Sequence, residues 1–271
     1  MKINTTLAHF SPISLVALNE KAEMLARLDN KYIMSVDHLD VALNALQSDF
    51  DILDIKGGRS FAYSTHYFDD QERRAYYDHH QRRRKRCKVR IRTYVEAKLN
   101  YLEVKVIEPR GTTAKTRLRL EGRLQKLDPK CLAFVDECHR NAYGTPFEKK
   151  IAPVLMSQYE RITLVAKDGG ERLTIDTHLR LSGAGRHREV DPDICIIETK
   201  SARGNGVADK IFRALHVQPT GRVSKFCIGM VATGQVRVRN GFLPALRKLG
   251  LVDPEFPLLA VSASEQLPEA A

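Results

Sequence analysis

Tryptophan is absent from the 271 residues, and aromatic side chains make up only 7% of them. Few flat faces are therefore on offer for stacking the bases of single-stranded nucleic acid. The five cysteines (Cys87, Cys131, Cys138, Cys195 and Cys227) form no C-x-x-C pair and are odd in number. Neither a disulfide framework nor a cysteine zinc site follows, and a reducing cytoplasm fits best. No stretch approaches the roughly 18 apolar residues that cross a bilayer. The start, MKINTTLAHFSPI, lacks the apolar core and cleavage site of a signal peptide. A soluble, cytoplasmic protein is expected. Glycine (16) and proline (11) are sparse, and no Gly-, Pro- or Ser-rich linker divides the chain. Gly57-Gly58 and Asp168-Gly169-Gly170 are turn signals rather than phosphate loops, because no strand–glycine–helix spacing surrounds them. The histidines form no H-x-x-x-H or Ser/His/Asp arrangement, and His79-His80 is expected at the surface.

What the chain has is positive charge. Lysine and arginine number 44 against 33 acidic residues, a formal net charge of +11. That predicts attraction to polyanions and says nothing about fold. The placement is more telling. Arg86, Lys88, Arg90 and Arg92 alternate with Val89 and Ile91. Glu103 and Lys105 alternate with Leu102 and Val104, and Glu198 and Lys200 with Ile197 and Thr199. Two residues is the side-chain repeat of a β-strand, so each charged set shares one face. Lys115, Arg117 and Arg119 keep the same spacing. One such strand most often marks a solvated sheet face. Several in one chain, two with the same Glu-x-Lys order, favour a shared charged interior. The run Gln81 to Arg86 reads instead as a solvated loop or a nucleic-acid contact.

Residues 12–24 read as a short helix with Ser11 as cap and Pro12 at its first position. Ser35 can cap a second helix, whose Leu39, Ala42, Leu43 and Leu46 recur at helical spacing. Strands are expected over 25–35, 50–56, 59–69, 86–95, 99–108, 151–167, 171–181 and 190–200, with a charged stretch at 113–120 and a Gly-rich loop at 183–188. Helices are expected over 129–141 and 206–217, a polar segment over 70–85, and a strand or helix over 222–234. The sum is an α+β fold, an antiparallel β-barrel of about eight strands or a strongly curved sheet, enclosing a charged tunnel with helices outside. Its units would be an N-terminal helical segment (1–24), the tunnel domain (25–252) and a loose tail (253–271).

Burying one unpaired charge costs several kcal/mol even after relaxation. An interior rich in lysine and arginine must therefore be wet, partly neutralised by carboxylates, or filled by an anion. Phosphate chains suit it, since each unit is an anionic acceptor for bidentate arginine. Carboxylates among the cations would repel phosphate unless an oxygen-ligated Mg²⁺ or Mn²⁺ sat between them.

These residues together resemble a VTC domain, the catalytic module of polyphosphate polymerases in the triphosphate tunnel metalloenzyme superfamily. The likeness runs from about Arg27 to Gly229 through RLDNKY, STHYFDD, KVRIRTY, LEVK, KTR, SQYERITL, ERLTIDTHL, IIETK and VSKFCIG, in that order. The resemblance implies catalytic roles for Arg90, Arg92, Arg161, Arg172, Lys200 and Lys225. It implies substrate binding by Lys31, Arg86, Lys88, Lys105, Lys115, Arg117 and Tyr159. Glu198 matches the metal-binding carboxylate, and Glu103 is a second candidate. The superfamily's hydrolases carry Glu-x-Glu-x-Lys on the first strand, where this chain has Arg27-x-Asp29-x-Lys31. Loss of the first carboxylate favours a polymerase.

The activity implied is transfer of the γ-phosphoryl group of ATP to a growing inorganic polyphosphate chain, dependent on Mn²⁺ or Mg²⁺. Two alternatives stand beside it: a tripolyphosphatase or nucleoside triphosphatase of the same fold, and a non-catalytic polyphosphate- or RNA-binding module. ATP and polyphosphate are the expected partners and no specific nucleic acid is. Export of product would need a membrane partner encoded elsewhere.

Overall fold

In the computed structural model, residues 2–22, 28–108, 113–122 and 126–252 are described. From the N-terminus they form α1 (Lys2–Ala8), β1 (Ser11–Ile13), α2 (Leu15–Lys21), β2 (Leu28–Ser35), α3 (Val36–Leu46), β3 (Phe50–Leu53) and β4 (Phe61–Asp69). Then come α4 (Arg74–His80), β5 (Arg86–Tyr94), β6 (Leu99–Ile107), β7 (Thr113–Leu120), α5 (Pro129–Tyr143), β8 (Ala152–Ala166) and β9 (Glu171–Gly183). The last are β10 (Arg186–Glu189), β11 (Ile194–Ser201), α6 (Val207–Ala214), α7 (Lys225–Ala232) and α8 (Leu243–Lys248). The expected tail over 253–271 and the start of the expected strand at 25–27, Arg27 included, lie outside the described residues.

Helix starts follow the caps that the sequence provides. The Ser35 hydroxyl accepts the His38 amide at 3.3 Å, and Leu39, Ala42, Leu43 and Leu46 of α3 are all buried. Asp128 caps α5 with Pro129 in its first turn. The expected helix over 12–24 is corrected. Ser11–Ile13 is drawn into parallel pairing with β3, so the helix begins later and Ser14, not Ser11, caps α2. The polar stretch 70–85 contains α4, whose Ala75 and Tyr76 amides donate to the Asp69 carboxylate at 2.9 and 3.1 Å. The loop at 183–188 holds the short strand β10, paired with β9.

Eleven strands among the described residues make one sheet, with the main order β2-β11-β9-β8-β4-β5-β6-β7. The main path is antiparallel throughout. The expected closed barrel is not formed: β2 and β7 end the path and do not pair with each other. The sheet is nevertheless strongly curved. Lys105 on β6 feels the charges of Lys31 and Asp29 on β2, near the opposite end of the strand order. Register irregularities at Tyr67/Phe68 and Gln158/Glu160 supply bends of the kind that β-bulges give.

The convex face is apolar and covered. α3 and α6 close over Tyr32, Leu173, Ile175 and Ile197, while α5 closes over Val89, Ile91, Leu102 and Val104. The concave face changes character along its strands. At one end Val165 packs with Leu18 of α2. At the other, Ile33, Leu155 and Ile196 pack with α7, which is apolar and buried from Phe226 onward. Gly229 lets α7 lie this close, because a Cβ there would collide with the Leu155 side chain. Between the two apolar ends the concave face is charged.

Candidate active site

Period-two alternation puts the charged residues on the concave face, and strand register sets them side by side. Lys31 of β2 is opposite Glu198 of β11, and Asp29 opposite Lys200. Lys200 is next to Arg172 of β9, and Arg161 of β8 next to Asp176. Across the sheet, Arg90 of β5 is opposite Glu103 of β6, which is opposite Arg117 of β7. Lys88, Lys105 and Lys115 form a parallel row, as do Arg92, Tyr101 and Arg119. Every position carried over from the resemblance thus falls on this face or, for Lys225, at the start of α7. Arg86 continues the β5 row one step beyond Lys88.

Three carboxylates organise the cations. Asp176 accepts two bonds from Arg161 at 2.6 and 2.7 Å and a further one from Lys225. Burial alone would raise its pKa, but Arg161 and Lys225 hold it at about 2. Glu198 pairs with Lys31 at 3.0 Å and with Lys200, which also reaches Asp29 at 2.8 Å. Against the effect of burial, Lys31 and Lys200 hold Glu198 well below the usual carboxylate range. Glu103, 1% exposed, meets Arg90 at 2.7 Å, Lys115 at 2.7 Å and Arg92 at 3.7 Å. Those three cations outweigh burial and bring it to about 2.

Aromatic rings hold the arginines flat. The Arg161 guanidinium lies 5.1 Å from the Tyr63 ring and 5.2 Å from that of Tyr159, and these two rings stack at 5.4 Å. Lys225 Nζ sits 4.5 Å over Tyr159. Cations over ring faces gain electrostatic energy when desolvated. Burial would raise the Tyr159 phenol, yet Arg161 and Arg92 lower it below its ordinary value.

The cationic row on β5, β6 and β7 is less well compensated. Lys88 Nζ lies 3.1 Å from His79 Nε2 and 3.4 Å from the Ser224 hydroxyl. Enclosure and the neighbouring cations Lys105, Arg90 and Arg86 bring Lys88 down to about 8. Lys115, 42% exposed and paired with Glu103, is shifted in the same direction. His79 is not at the surface as expected. It is half-buried on α4 beside Lys88, and burial with Lys88, Arg86 and Lys105 keeps it neutral.

Sequence reasoning missed Asp176, Tyr63, His79 and Ser224 as site residues. Asp176 carried a visible signal, since it follows Arg172 by an even step on one strand. His79 and Ser224 lie on or beside helices and reach the site through tertiary packing, which no local pattern reports.

A divalent cation fits part of this donor set. Glu198 is ionised, its side chain is 21% exposed, and Asp29 stands across Lys200 from it. One or two carboxylates plus phosphate oxygens are the usual partners of Mg²⁺. Glu103 is fully enclosed by its three cations. No cluster of three or more His, Cys, Asp or Glu side chains able to hold a metal is present among the described residues. No helix among them is long and apolar enough to cross a membrane.

The family described as VTC domain matches residues 26–233. No curated protein matches the chain. Solved structures are similar to the chain at low identity. One is a proposed adenylate cyclase from Vibrio parahaemolyticus, 12% identical over 76% of this chain and 99% of that one, with a TM-score of 0.45. A proposed adenylyl cyclase from Hippeastrum, described as having a dominant triphosphatase activity, is 12% identical over 76% of this chain and 95% of that one, at 0.46. The PH1819 protein from Pyrococcus horikoshii OT3 is 13% identical over 77% and 98%, at 0.42.

Proposed function

The chain belongs to the VTC domain family, and we propose that it transfers the γ-phosphoryl group of ATP to the end of a growing inorganic polyphosphate chain. The observation that carries this reading is the charge asymmetry of the concave face. Strands β9 and β11, which carry Asp176 and Glu198, are separated by β8 and β4 from a row of cations on β5, β6 and β7 that has Glu103 as its one carboxylate. A flexible chain of phosphates supplies negative charge along the whole row, whereas a single small anion matches only part of it.

Phosphoryl transfer asks mainly for in-line alignment and neutralisation of the equatorial oxygens. Arg161, fixed by Asp176 and two tyrosine rings, is preorganised for that task. Arg90, Arg92 and Arg172 clamp the donor phosphates with it, and Lys200 and Lys225 hold the transferring group and the acceptor end. Lys31, Arg86, Lys88, Lys105, Lys115 and Arg117 line the path of the chain, and Tyr159 donates a hydrogen bond to it. Glu198, with Asp29 nearby, holds Mn²⁺ or Mg²⁺, which when bound neutralises phosphate oxygens. Glu103 keeps Arg90 and Lys115 in place.

The basicity of the carboxylates bears on the acceptor. Glu103, Asp176 and Glu198 are all held below the ordinary carboxylate range, so they are weak bases for activating water. The terminal phosphate of a chain arrives already anionic. This supports polyphosphate rather than water as acceptor, with 25–252 as the working unit.

Purified protein with ATP and Mn²⁺, resolved for long-chain polyphosphate, orthophosphate and ADP, is expected to give polymer and ADP. Orthophosphate and ADP without polymer would instead identify a triphosphatase. No turnover with any divalent metal would leave a polyphosphate- or RNA-binding module.

A further inference from the structure

The basic run after α4 is not absorbed by the concave face. Arg82, Arg83, Arg84 and Lys85 are all exposed. Arg83 and Lys85 line a cavity of about 420 Å³ together with Asp78, His139, Tyr143 and Lys149. That volume falls within the roughly 300–1,000 Å³ typical of small-ligand sites. We propose that this cavity is a second anion site, taking a short phosphate-chain anion independently of the concave face.

Two cations meet one carboxylate there, and a third, Lys85, lines the same cavity. Asp78 meets Arg83 at 3.3 Å and Lys149 at 3.4 Å, so it holds both side chains in place while cancelling only one charge. Lys85 Nζ lies 5.9 Å over the Tyr143 ring. Its ring neighbour His139, at 4.8 Å, adds a fourth nitrogen-bearing side chain to the lining. Closely spaced phosphates match such a group of donors, and charge-assisted bonds to them are the strong ones.

The site is separate from the concave face yet attached to it. Cys87 lines the cavity, while its neighbours Arg86 and Lys88 belong to the opposite face of β5 by strand alternation. The Tyr143 hydroxyl accepts the Arg86 amide at 3.0 Å and donates to the Arg86 carbonyl at 2.9 Å. A ligand against Tyr143 therefore bears directly on the end of β5.

Lysine acetylation followed by mass spectrometry tests this on the full chain without turnover, so the outcome does not depend on the polymerase reading. Tripolyphosphate is expected to slow acetylation of Lys85 and Lys149 while the exposed Lys130 of α5 reacts as before. Equal protection by ATP assigns the site to any triphosphate group, and protection by tripolyphosphate alone restricts it to inorganic chains. Arg83→Ala removes a side chain that is 63% exposed, so the fold should persist. It should weaken tripolyphosphate protection of Lys85 by about tenfold, the value of one charge-assisted contact, and leave that of Lys200 unchanged. The proposal is overturned if Lys85 and Lys149 react as in free protein with both anions. It is equally overturned if Arg83→Ala leaves Lys85 protected, or if an RNA oligonucleotide protects these lysines where tripolyphosphate does not.

Discussion

Where β8, β9 and β11 lie together, each carboxylate of the concave face has its cations: Asp176 has Arg161 and Lys225, and Glu198 has Lys31 and Lys200. On β5, β6 and β7, eight cations from Arg86 to Arg119 share Glu103. The difference separates two tasks. Paired charges can be buried and held rigid, which suits groups that must align reacting atoms. Cations without a carboxylate partner must stay wet or lose protons, as the lowered Lys88 shows. They are poised to gain from an anion that restores their charge. The first wall is built for position and the second for attraction.

Substitutions can break that contrast. Arg161→Ala is expected to have the largest effect, because it leaves the 3% exposed Asp176 side chain with Lys225 alone. Removing one partner of a buried pair costs about 3–5 kcal/mol, and a thermal melt against wild type reads it. Glu198→Gln should cut metal-dependent turnover by about a hundredfold or more, the scale of losing one transition-state electrostatic contact. Circular dichroism should show its fold retained. Full activity in that variant would remove Glu198 from the metal site. Lys105→Ala, on the unpaired wall, should raise KM about tenfold, one charged contact's worth, with kcat and melting temperature little changed. A large loss of stability there would erase the distinction between the walls.

The smallest effect is on pH dependence. Lys88 loses its proton as pH rises through about 8 in the free protein, so it is charged at pH 7. Affinity for tripolyphosphate should fall as pH rises from 7 to 9, and binding above pH 8 should take up protons. Calorimetry in buffers of different ionisation enthalpy measures that uptake. Affinity that holds or increases over this range would reverse the sign and exclude Lys88.

The strands and most charged positions were legible in the sequence because alternation is a local property that strand register merely extends. Closure was not. Whether β2 meets β7 depends on curvature accumulated over the whole sheet, so an expected barrel became a curved sheet with two free ends. α4 was hidden because its start is fixed by the Asp69 side chain rather than by an apolar stripe. α7 read equally well as strand or helix, since burial on all sides leaves no periodicity to detect. The N-terminal helix slipped because pairing of Ser11–Ile13 with β3 outweighed a plausible cap. Asp176 lies within the same alternation as Arg172, while His79 belongs to a polar run that tertiary packing turns toward Lys88.

A crystal structure of the protein with tripolyphosphate tests the two-wall account most directly. The account predicts phosphates bridging the walls, bound by Arg161 and Lys225 at one end and by Lys88 and Lys105 at the other. Phosphates confined to the carboxylate-bearing strands, with the β5–β7 row left in water, would contradict it.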